Sequence, residues 1–510
     1  MSLRVFIKSC FYIFCCLSSL NVLGTPLKIY NGQGSMSGEV TSTSVILQSR
    51  LTQRPFLVDG DLPGIKGVGR FEVSIDRDFQ SIERKTKWIK ASIANDYIIK
   101  TKIFGLKPGI KYFYRLRYGS NKKNTTLGQW CVFQTLPGSK KSALISFVVV
   151  TGMNYAFFHE GAPRFDRPRY EGSDKHLGYP ALGTILKMKP DFFVGTGDNV
   201  YYDHPASTRA RTQSELRQKW HEQFVQPRFI ELFRWIPTYW EKDDHDYRFN
   251  DSDSFDPVRG SHATKEDLEN PRLAHQPSDE LGRLTFLEQL PIVDPLEKKS
   301  KTYRSHRVSK ELQIWLMEGR DHRSRNEMID GPGKSIWGQQ QKAWLKQTLV
   351  ASDASFKILI LPTPMVGPDG VKKRDNHVNI GGFRHEANEF FGWLKDSGFL
   401  DKQLYLVSGD RHWQYHAIHP SGFEEFSCGA ICDANAFRAI KPGDSNSTDP
   451  KGEVKHKYTQ TGQSGGFLRI SVYPPKDLRP AEIKFSFYDE QGIILYQTLK
   501  VAGNFFKKSN

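Results

Sequence analysis

Residues 236–253 read IPTYWEKDDHDYRFNDSD, in which a short apolar run leads into a segment with six carboxylates and one histidine. The chain as a whole carries a formal net charge of +16, so this segment departs sharply from the general charge balance. Carboxylates that lie close together raise one another's pKa unless a cation neutralises them. The segment therefore indicates a site that binds positive charge.

The same arrangement, an apolar run followed by polar residues, recurs after residue 143. Six short apolar runs, with helical patterns between several of them, indicate strands of parallel βα units. They are ISFVVV (145–150), DFFVG (191–195), IPTYW (236–240), LQIWLM (312–317), FKILIL (356–361) and QLYLVS (403–408). Open α/β sheets bind ligands beyond the carboxyl ends of their strands, so the segments that follow these runs are expected to meet.

Acids follow four of these six runs, and histidine or tyrosine accompanies them. The four segments are TGDNVYYDH (196–204), EKDDHDY (241–247), EGRDHRSR (318–325) and GDRHWQYH (409–416). Carboxylate, imidazole and phenol groups suit hard or borderline cations. A distant basic surface cannot neutralise these acids in place of a bound cation, because salt screens exposed charges beyond about 10 Å. The pattern predicts a pair of bound metal ions.

Residues 27–138 have the pattern of a separate all-β domain. Alternating segments such as TSTSVILQSRL (41–51) and YFYRLRYG (112–119) predict short strands of an immunoglobulin- or fibronectin-like sandwich. Acids and histidines do not cluster there, so we expect a structural role. The segment TLPGSKKSA (135–143) reads as a linker to a second domain over residues 143–502.

Residues 1–24 predict a cleaved export signal, because Arg4 and Lys8 precede an uncharged apolar run. An uncleaved anchor is the alternative. Later stretches are too short to span a bilayer, so we expect a soluble periplasmic or extracellular protein.

Cys428 and Cys432, in CGAIC, could close a small disulfide or be two core thiols.

Three helices are predicted with some precision. Thr212 and Glu215 form a capping box that opens a helix through about Trp235. Two more helices are predicted at residues 335–350 and 385–397.

Three motifs resemble those of the PhoD-like alkaline phosphatases, a branch of the calcineurin-like metallophosphoesterases. In chain order they are GDNVY (197–201), DDHD (243–246) and SGDRH (408–412). Flanking text at residues 34–51 and 338–365 is similar too, so the likeness covers roughly residues 30–430. It implies an α/β metallophosphoesterase-type sandwich of mixed sheets flanked by helices, preceded by the small β domain.

The resemblance also implies a set of metal ligands, taken over residue by residue. Asp198 would bridge two metals, and Tyr201 would bind ferric iron as a phenolate. Asp244 would bind the second metal, and Asp410 and His412 would be the ligands of the last motif. By this likeness the metals would be Fe³⁺ and Ca²⁺, although other divalent metals also suit such ligands.

Three neighbouring residues are candidates for contact with a substrate. His245 corresponds to the family's histidine that stabilises or protonates the leaving oxygen. Arg411 lies between two predicted ligands and either contacts phosphate or points at solvent. Asn199 either contacts substrate or is only a turn residue. Arg320 and Arg323 are expected to support the site through ion pairs.

One position departs from the family pattern. The family's first motif commonly supplies a cysteine to the iron, whereas the corresponding stretch VVVTGMNYAFF (148–158) has Gly152 there. Thr151, Met153 and Asn154 cannot replace a thiolate charge for charge. The site is therefore expected to work with fewer protein ligands, to hold an altered iron site, or to be weakened.

The leading functional hypothesis is an exported metal-dependent hydrolase of phosphate monoesters or diesters. Two cations about 3.5–4 Å apart can clamp a phosphoryl group and lower the pKa of a bound water to about 7. Scattered lysines and arginines without a nucleic-acid motif argue against specific nucleic-acid binding. We expect a monomer.

Two alternatives stay open. A phosphodiesterase of cell-wall or lipid-derived polymers would fit the basic surface and the polar insert at about 250–310, which has the length of a lid or substrate loop. A metal-binding or adhesion module is the alternative of another class, with Gly152 marking lost catalysis.

Overall fold

The structure, a computed structural model of the 510-residue chain, describes residues 28–162, 165–255, 277–297 and 300–503. The predicted export signal lies outside the described residues, and so does the middle of the predicted insert, at 256–276. Of the helices in the described ranges, none combines the length and the hydrophobicity needed to cross a bilayer.

The N-terminal part of the chain forms short strands, as its alternating pattern predicts. In chain order they are β1 (Ser35–Gly38), β2 (Ser44–Arg50), β3 (Gly67–Ser74), β4 (Ile82–Lys85), β5 (Ile89–Ala91), β6 (Ile98–Phe104), β7 (Lys111–Gly119), β8 (Thr125–Leu127) and β9 (Cys131–Gln134).

The rest of the chain supplies the strands of the second domain. They are β10 (Ile145–Val150), β11 (Phe192–Thr196), β12 (Thr238–Glu241), β13 (Arg304–Arg307), β14 (Leu312–Leu316), β15 (Phe356–Leu361), β16 (Leu404–Ser408), β17 (Gln414–Ile418), β18 (Glu424–Cys428), β19 (Lys455–Thr459), β20 (Gly466–Tyr473), β21 (Glu482–Asp489) and β22 (Ile494–Val501). All six apolar runs predicted as strands are confirmed, as β10, β11, β12, β14, β15 and β16.

Two large sheets pack face to face. One has nine strands in the order β22-β21-β20-β10-β11-β12-β1-β2-β6, and the other has seven in the order β13-β14-β15-β16-β18-β17-β19. Strands β10, β11 and β12 run parallel, and so do β14, β15 and β16. Phe147 and Val194 of the first sheet share a buried core with Ile358 and Val407 of the second. Two sets of parallel strands are thereby stacked.

Helices cover the outer faces of both sheets. They are α1 (Tyr155–Glu160), α2 (Pro180–Met188), α3 (Gln213–Phe224), α4 (Pro227–Trp235), α5 (Asp279–Gln289), α6 (Gly338–Ala351) and α7 (Arg384–Asp396). Leu216 of α3 and Phe229 of α4 share a cluster with Trp240 of the nine-stranded sheet. Leu345 of α6 packs with Leu359 of the seven-stranded sheet. This sandwich with outer helices agrees with the predicted fold class.

The small β domain is joined to the second domain through a shared sheet. Strand β1 pairs in parallel with β12, with Gly38 opposite Thr238, and β2 and β6 extend the sheet from there. A six-stranded sheet, in which β5 and β9 pair with β3 and β7, packs on this extension, and Leu47 and Phe71 share its core. The domain limits at 27–138 and 143–502 stay predictions.

The predicted helix from Thr212 to Trp235 is wrong in its length. The capping box is present, with Thr212 and Glu215 bonded in both directions, but the helix ends at Phe224 and a second one begins at Pro227. Proline lacks the N–H that a continuous helix needs and suits the first helical position. The helices predicted at 335–350 and 385–397 are confirmed, as α6 and α7.

The structure adds a helix to the predicted insert and decides between the two alternatives for the cysteines. The insert at 250–310 contains helix α5, which Ser278 caps by accepting a hydrogen bond from the backbone N–H of Leu281. Cys428 and Cys432 are buried and free, so the CGAIC segment holds two core thiols in the described structure. Burial raises the pKa of the Cys428 thiol.

Candidate metal centre

The carboxyl ends of β11, β12 and β16 meet, and two glycines allow this approach. A Cβ on Gly197 would lie 2.4 Å from the Cβ of Asp243. A Cβ on Gly409 would lie 2.3 Å from the carbonyl oxygen of Thr196, on the other sheet. Neither distance leaves room for a side chain. The glycine of each Gly-Asp motif therefore brings loops from both sheets into one site.

The aspartate of each Gly-Asp motif has a special backbone conformation. Asp198 has φ +54° and Asp410 has φ +58°, both in the left-handed region. Aspartate adopts this region more readily than most residues, because its short polar side chain bonds locally. The motif thus fixes an acid in a tight turn directly after a strand.

Asp198 lies at the centre of a group of buried contacts. The hydroxyl of Tyr201 donates to Asp198 Oδ2 at 2.9 Å. His412 Nε2 lies 3.1 Å from the same oxygen, although the two residues are 214 positions apart in the chain. His412 Nε2 also lies 3.2 Å from the Tyr201 hydroxyl. Three of the predicted ligands therefore converge.

Asp244 and His245 face the same point from β12. Ligand atoms of Asp198, Asp244 and His245 all lie within 4.8 Å of one another, and all three residues are buried. A second group with the same spacing joins His245 to Asp203 and His204. In that group His245 Nδ1 lies 2.7 Å from Asp203 Oδ1. His245 is thus shared between two clusters of ligand atoms.

Protein groups satisfy several of the acids in the segment from Tyr239 to Asp253. Arg320 Nε donates to Asp243 Oδ1 at 2.7 Å, as predicted. Arg323 instead donates to the backbone carbonyl of Asp375 and forms no ion pair among the described residues, so its predicted ion pair is wrong. Lys373 Nζ lies 2.8 Å from Asp251 Oδ1. Asp246 instead accepts a hydrogen bond from the backbone N–H of Asp243 at 2.7 Å. These acids serve to hold the loop.

Asp198 and Asp244 are two acids of the site that keep an unsatisfied oxygen, and Asp243 keeps another at Oδ2. In the described structure, Oδ1 of Asp198 and Oδ1 of Asp244 are buried without a hydrogen-bond partner. Arg320 Nη2 lies 3.9 Å from Asp244 Oδ1, too far for a hydrogen bond. Burial raises the pKa of Asp198 to about 7, with His245 lowering it and Asp244 raising it further. Two orphaned carboxylate oxygens beside imidazole and phenol fit a metal ion.

The site is also built around Gly152. Asn435 Nδ2 donates to the Gly152 carbonyl at 3.0 Å and to the Tyr201 hydroxyl at 2.8 Å. Gly152 has φ +66°, and a Cβ there would lie 3.0 Å from Ala430 Cβ and 3.1 Å from Asn435 Nδ2. A cysteine would be strained in this backbone and crowded by both neighbours. Asn435 therefore occupies the space beside the predicted ligand Tyr201.

The structure gives Arg411 and Asn199 buried protein partners. Arg411 is 2% exposed, so it does not point at solvent. Its Nη1 lies 2.6 Å from Asp410 and its Nη2 lies 2.7 Å from Asp369. The Asn199 side chain donates to Asp246 Oδ2 at 2.5 Å. That either residue also touches a substrate stays a prediction.

Sequence reasoning missed several residues of the site. Asp203 and His204 lie inside the segment TGDNVYYDH, and their acid-histidine pairing beside Asp198 was a usable signal. Lys373 and Asn435 lie on loops whose local sequence carries no comparable pattern. Their contacts depend on how distant loops pack.

Comparison with known families matches both parts of the chain. A model described as PhoD-like phosphatase matches residues 147–475, and one described as PhoD-like phosphatase, N-terminal domain, matches residues 30–137. Alkaline phosphatase D of Bacillus subtilis (strain 168) is 23% identical over 349 residues. That match covers 64% of this chain and 54% of the Bacillus protein, so it spans about half of that relative's length.

Two solved structures show the same fold. The structure of PhoD has a TM-score of 0.69 and 17% identity, covering 94% of this chain and 90% of that chain. The purple acid phosphatase from yellow lupin (Lupinus luteus) seeds has a TM-score of 0.57 and 11% identity, covering 92% and 74%. These likenesses confirm the predicted metallophosphoesterase-type fold.

The substitution Asp198→Asn is expected to stabilise the metal-free protein. The amide keeps an acceptor for Tyr201 and His412 and tolerates a left-handed backbone, but it carries no charge to bury. The folded-state pKa of about 7 lies above the ordinary value near 4, so wild-type stability falls as pH rises between these values. The free energy of unfolding that Asp198→Asn gains over the wild type should grow over that range, to at most about 4 kcal/mol. Urea unfolding in EDTA at several pH values measures it.

Asp243→Asn is the matched control and should have the opposite effect. It leaves the buried charge of Arg320 facing a neutral amide, with the next carboxylate oxygens, of Asp375 and Asp244, 3.7 and 3.9 Å away. Loss of this buried ion pair should cost about 3–5 kcal/mol. Equal destabilisation by both substitutions above pH 7 would contradict this expectation, because it would show that other groups of the protein already neutralise the charge of Asp198.

Proposed function

This chain belongs to the PhoD-like phosphatase family, and we propose that it is a metal-dependent hydrolase of phosphoric esters. We further propose that it is exported and monomeric and that it uses two metal ions. The proposal is carried by one observation: Asp198 and Asp244 each have a buried carboxylate oxygen without a hydrogen-bond partner in the described structure. Three further side chains that can bind metal lie beside them, namely Tyr201, His245 and His412.

The proposed ligands divide into two kinds. A tyrosine phenolate beside a carboxylate suits ferric iron, whereas Asp244 and Asp410 offer the hard oxygens that calcium prefers. Fe³⁺ and Ca²⁺, the pair that the family resemblance implies, are the proposed metals, and Asp198 would be the ligand they share. When bound, the metal ions would neutralise charge on the phosphoryl group and make water more acidic.

His245 is the proposed proton donor to the leaving oxygen. Asp203 engages its Nδ1, which leaves Nε2 as the nitrogen available to the substrate. Burial alone would lower the pKa of His245, but Asp203, Asp244 and Asp198 raise it well above its usual value. Asp203, which is not among the proposed ligands, thereby favours the protonated ring that a general acid requires.

Phosphate monoesters and diesters are the proposed substrates.

Gly152 distinguishes this site from relatives with a cysteine, and the bonds of Asn435 to Gly152 and Tyr201 show that the altered position is packed. We therefore propose an altered iron site that still works.

Purified protein is expected to contain metal and to hydrolyse aryl phosphate monoesters, diesters or both. Asp198→Ala should abolish hydrolysis and lower the metal content, because it removes the ligand proposed to be shared. Elemental analysis and release of nitrophenol measure the two quantities. A visible absorption band is expected if Tyr201 binds ferric iron.

Asp78→Ala, an exposed acid of the small β domain, is the control and should change neither quantity. Metal-replete protein that hydrolyses neither ester would contradict the proposal and favour a metal-binding module. Full activity without colour would remove only the iron assignment.

The substitution His245→Gln is expected to depend on the leaving group. Hydrolysis of an alkyl phosphate should fall by roughly 10²–10⁴-fold, because an alkoxide needs a proton to depart. Hydrolysis of a nitrophenyl phosphate should fall far less, because nitrophenolate departs unprotonated. Initial rates on both esters, with metal content measured in parallel, give the ratio.

His416→Gln changes a buried histidine that pairs with Glu424 and belongs to neither cluster of ligand atoms, and it should leave the ratio unchanged. An equal fall of both rates in His245→Gln, with metal retained, would rule out His245 as the proton donor.

A further inference from the structure

Arg167 lies beside the candidate metal centre on the segment after α1. Its backbone N–H donates to the carbonyl of Ala162 at 3.2 Å, and its carbonyl accepts from the Ala162 N–H at 2.9 Å. This two-way pairing fixes the backbone at Arg167. The side chain therefore extends from a fixed point of the backbone.

The Phe437 ring contacts both the Arg167 side chain and a predicted ligand, His412. The guanidinium carbon of Arg167 lies 4.1 Å from the centre of the Phe437 ring. The same ring lies 5.2 Å from the His412 ring, and the Phe437 backbone N–H donates to the His412 carbonyl at 2.7 Å. Burial and then His245 lower the pKa of His412 to about 3, and the charge of Arg167 acts in the same direction.

Among the described residues, no carboxylate pairs with Arg167. The residue is 6% exposed, and in the described part of the chain its Nε and Nη1 are buried without a hydrogen-bond partner. Arg320 and Arg411, by contrast, are each paired with a carboxylate. The Phe437 face offsets only part of the cost of burying a cation. Burial accordingly lowers the pKa of Arg167.

An unpaired buried guanidinium is costly, and a ligand that supplies the missing charge offsets this cost. A phosphoryl group fits, since its oxygens match the planar fork of arginine and form short charge-assisted hydrogen bonds. Phe437 is only half-buried, so this side of the centre reaches solvent.

We propose that Arg167 binds a phosphoryl oxygen of the substrate at the metal centre. This inference rests on the proposed function and adds a substrate-binding residue to it. Arg167 thereby supplies the positive charge that Arg411, held between Asp369 and Asp410, does not offer freely.

The test is the substitution Arg167→Met, which removes the charge and keeps an apolar contact with Phe437. In metal-loaded protein, the dissociation constant for inorganic phosphate should rise roughly tenfold to a hundredfold, as expected for a hydrogen bond to a charged group. The KM for an aryl phosphate should rise in parallel. The melting temperature without phosphate should stay the same or rise, because an uncompensated charge has been removed. Calorimetric titration and thermal unfolding measure these effects.

Arg169→Met is the matched control two residues away. Arg169 is exposed and pairs with Glu171, so its loss should change neither phosphate binding nor melting temperature. Arg167→Lys keeps the charge without the planar fork, so it should retain wild-type stability and bind phosphate with intermediate affinity.

Unchanged phosphate affinity in Arg167→Met would overturn the inference while leaving ester hydrolysis by the wild type untouched. A large drop in its melting temperature would also overturn it, because it would show that the cation is compensated within the fold. Failure of the wild type to hydrolyse any ester would count against the proposed function alone, since phosphate titration still compares the two variants.

Discussion

Two buried carboxylates, Asp198 and Asp244, approach each other in a site where the protein neutralises them incompletely. Arg320 Nη2 lies 2.5 Å from Asp243 but 3.9 Å from Asp244, and Oδ1 of both Asp198 and Asp244 is buried without a hydrogen-bond partner in the described structure. Such an arrangement is costly in a medium of low dielectric constant. A bound cation removes this cost. The stability of the loop that carries Asp244 is therefore expected to depend on metal binding.

The fold creates this approach from residues far apart in the chain. Two sets of parallel strands end at the same edge of a sandwich, and Gly197 and Gly409 let the strand ends come closer than any side chain would allow. Strand β1 of the small domain pairs with β12, the strand that leads into Asp243 and Asp244. The N-terminal domain thus braces the acidic loop, although its own sequence carries no cluster of acids or histidines.

Periodicity and short motifs were enough to predict the six core strands and the meeting of Asp198, Asp244 and His412. These features are local, because a strand pattern and the polar residues after it lie within a few positions of each other. Other features were missed or could not be predicted. The helix break at Pro227 needed attention to a single proline, whereas the positions of Arg167 and Asn435 depend on tertiary packing. The free state of the cysteines likewise depends on packing around CGAIC.

Anomalous X-ray diffraction from crystals of the metal-loaded protein, recorded on both sides of the iron absorption edge, tests the central claim most directly. We predict two peaks within coordination distance of Asp198, one of them iron beside Tyr201 and the other a second cation beside Asp244. Clear density for the Asp198 and Asp244 side chains with no peak between them would contradict it, since the two acids would then be stabilised by protonation alone.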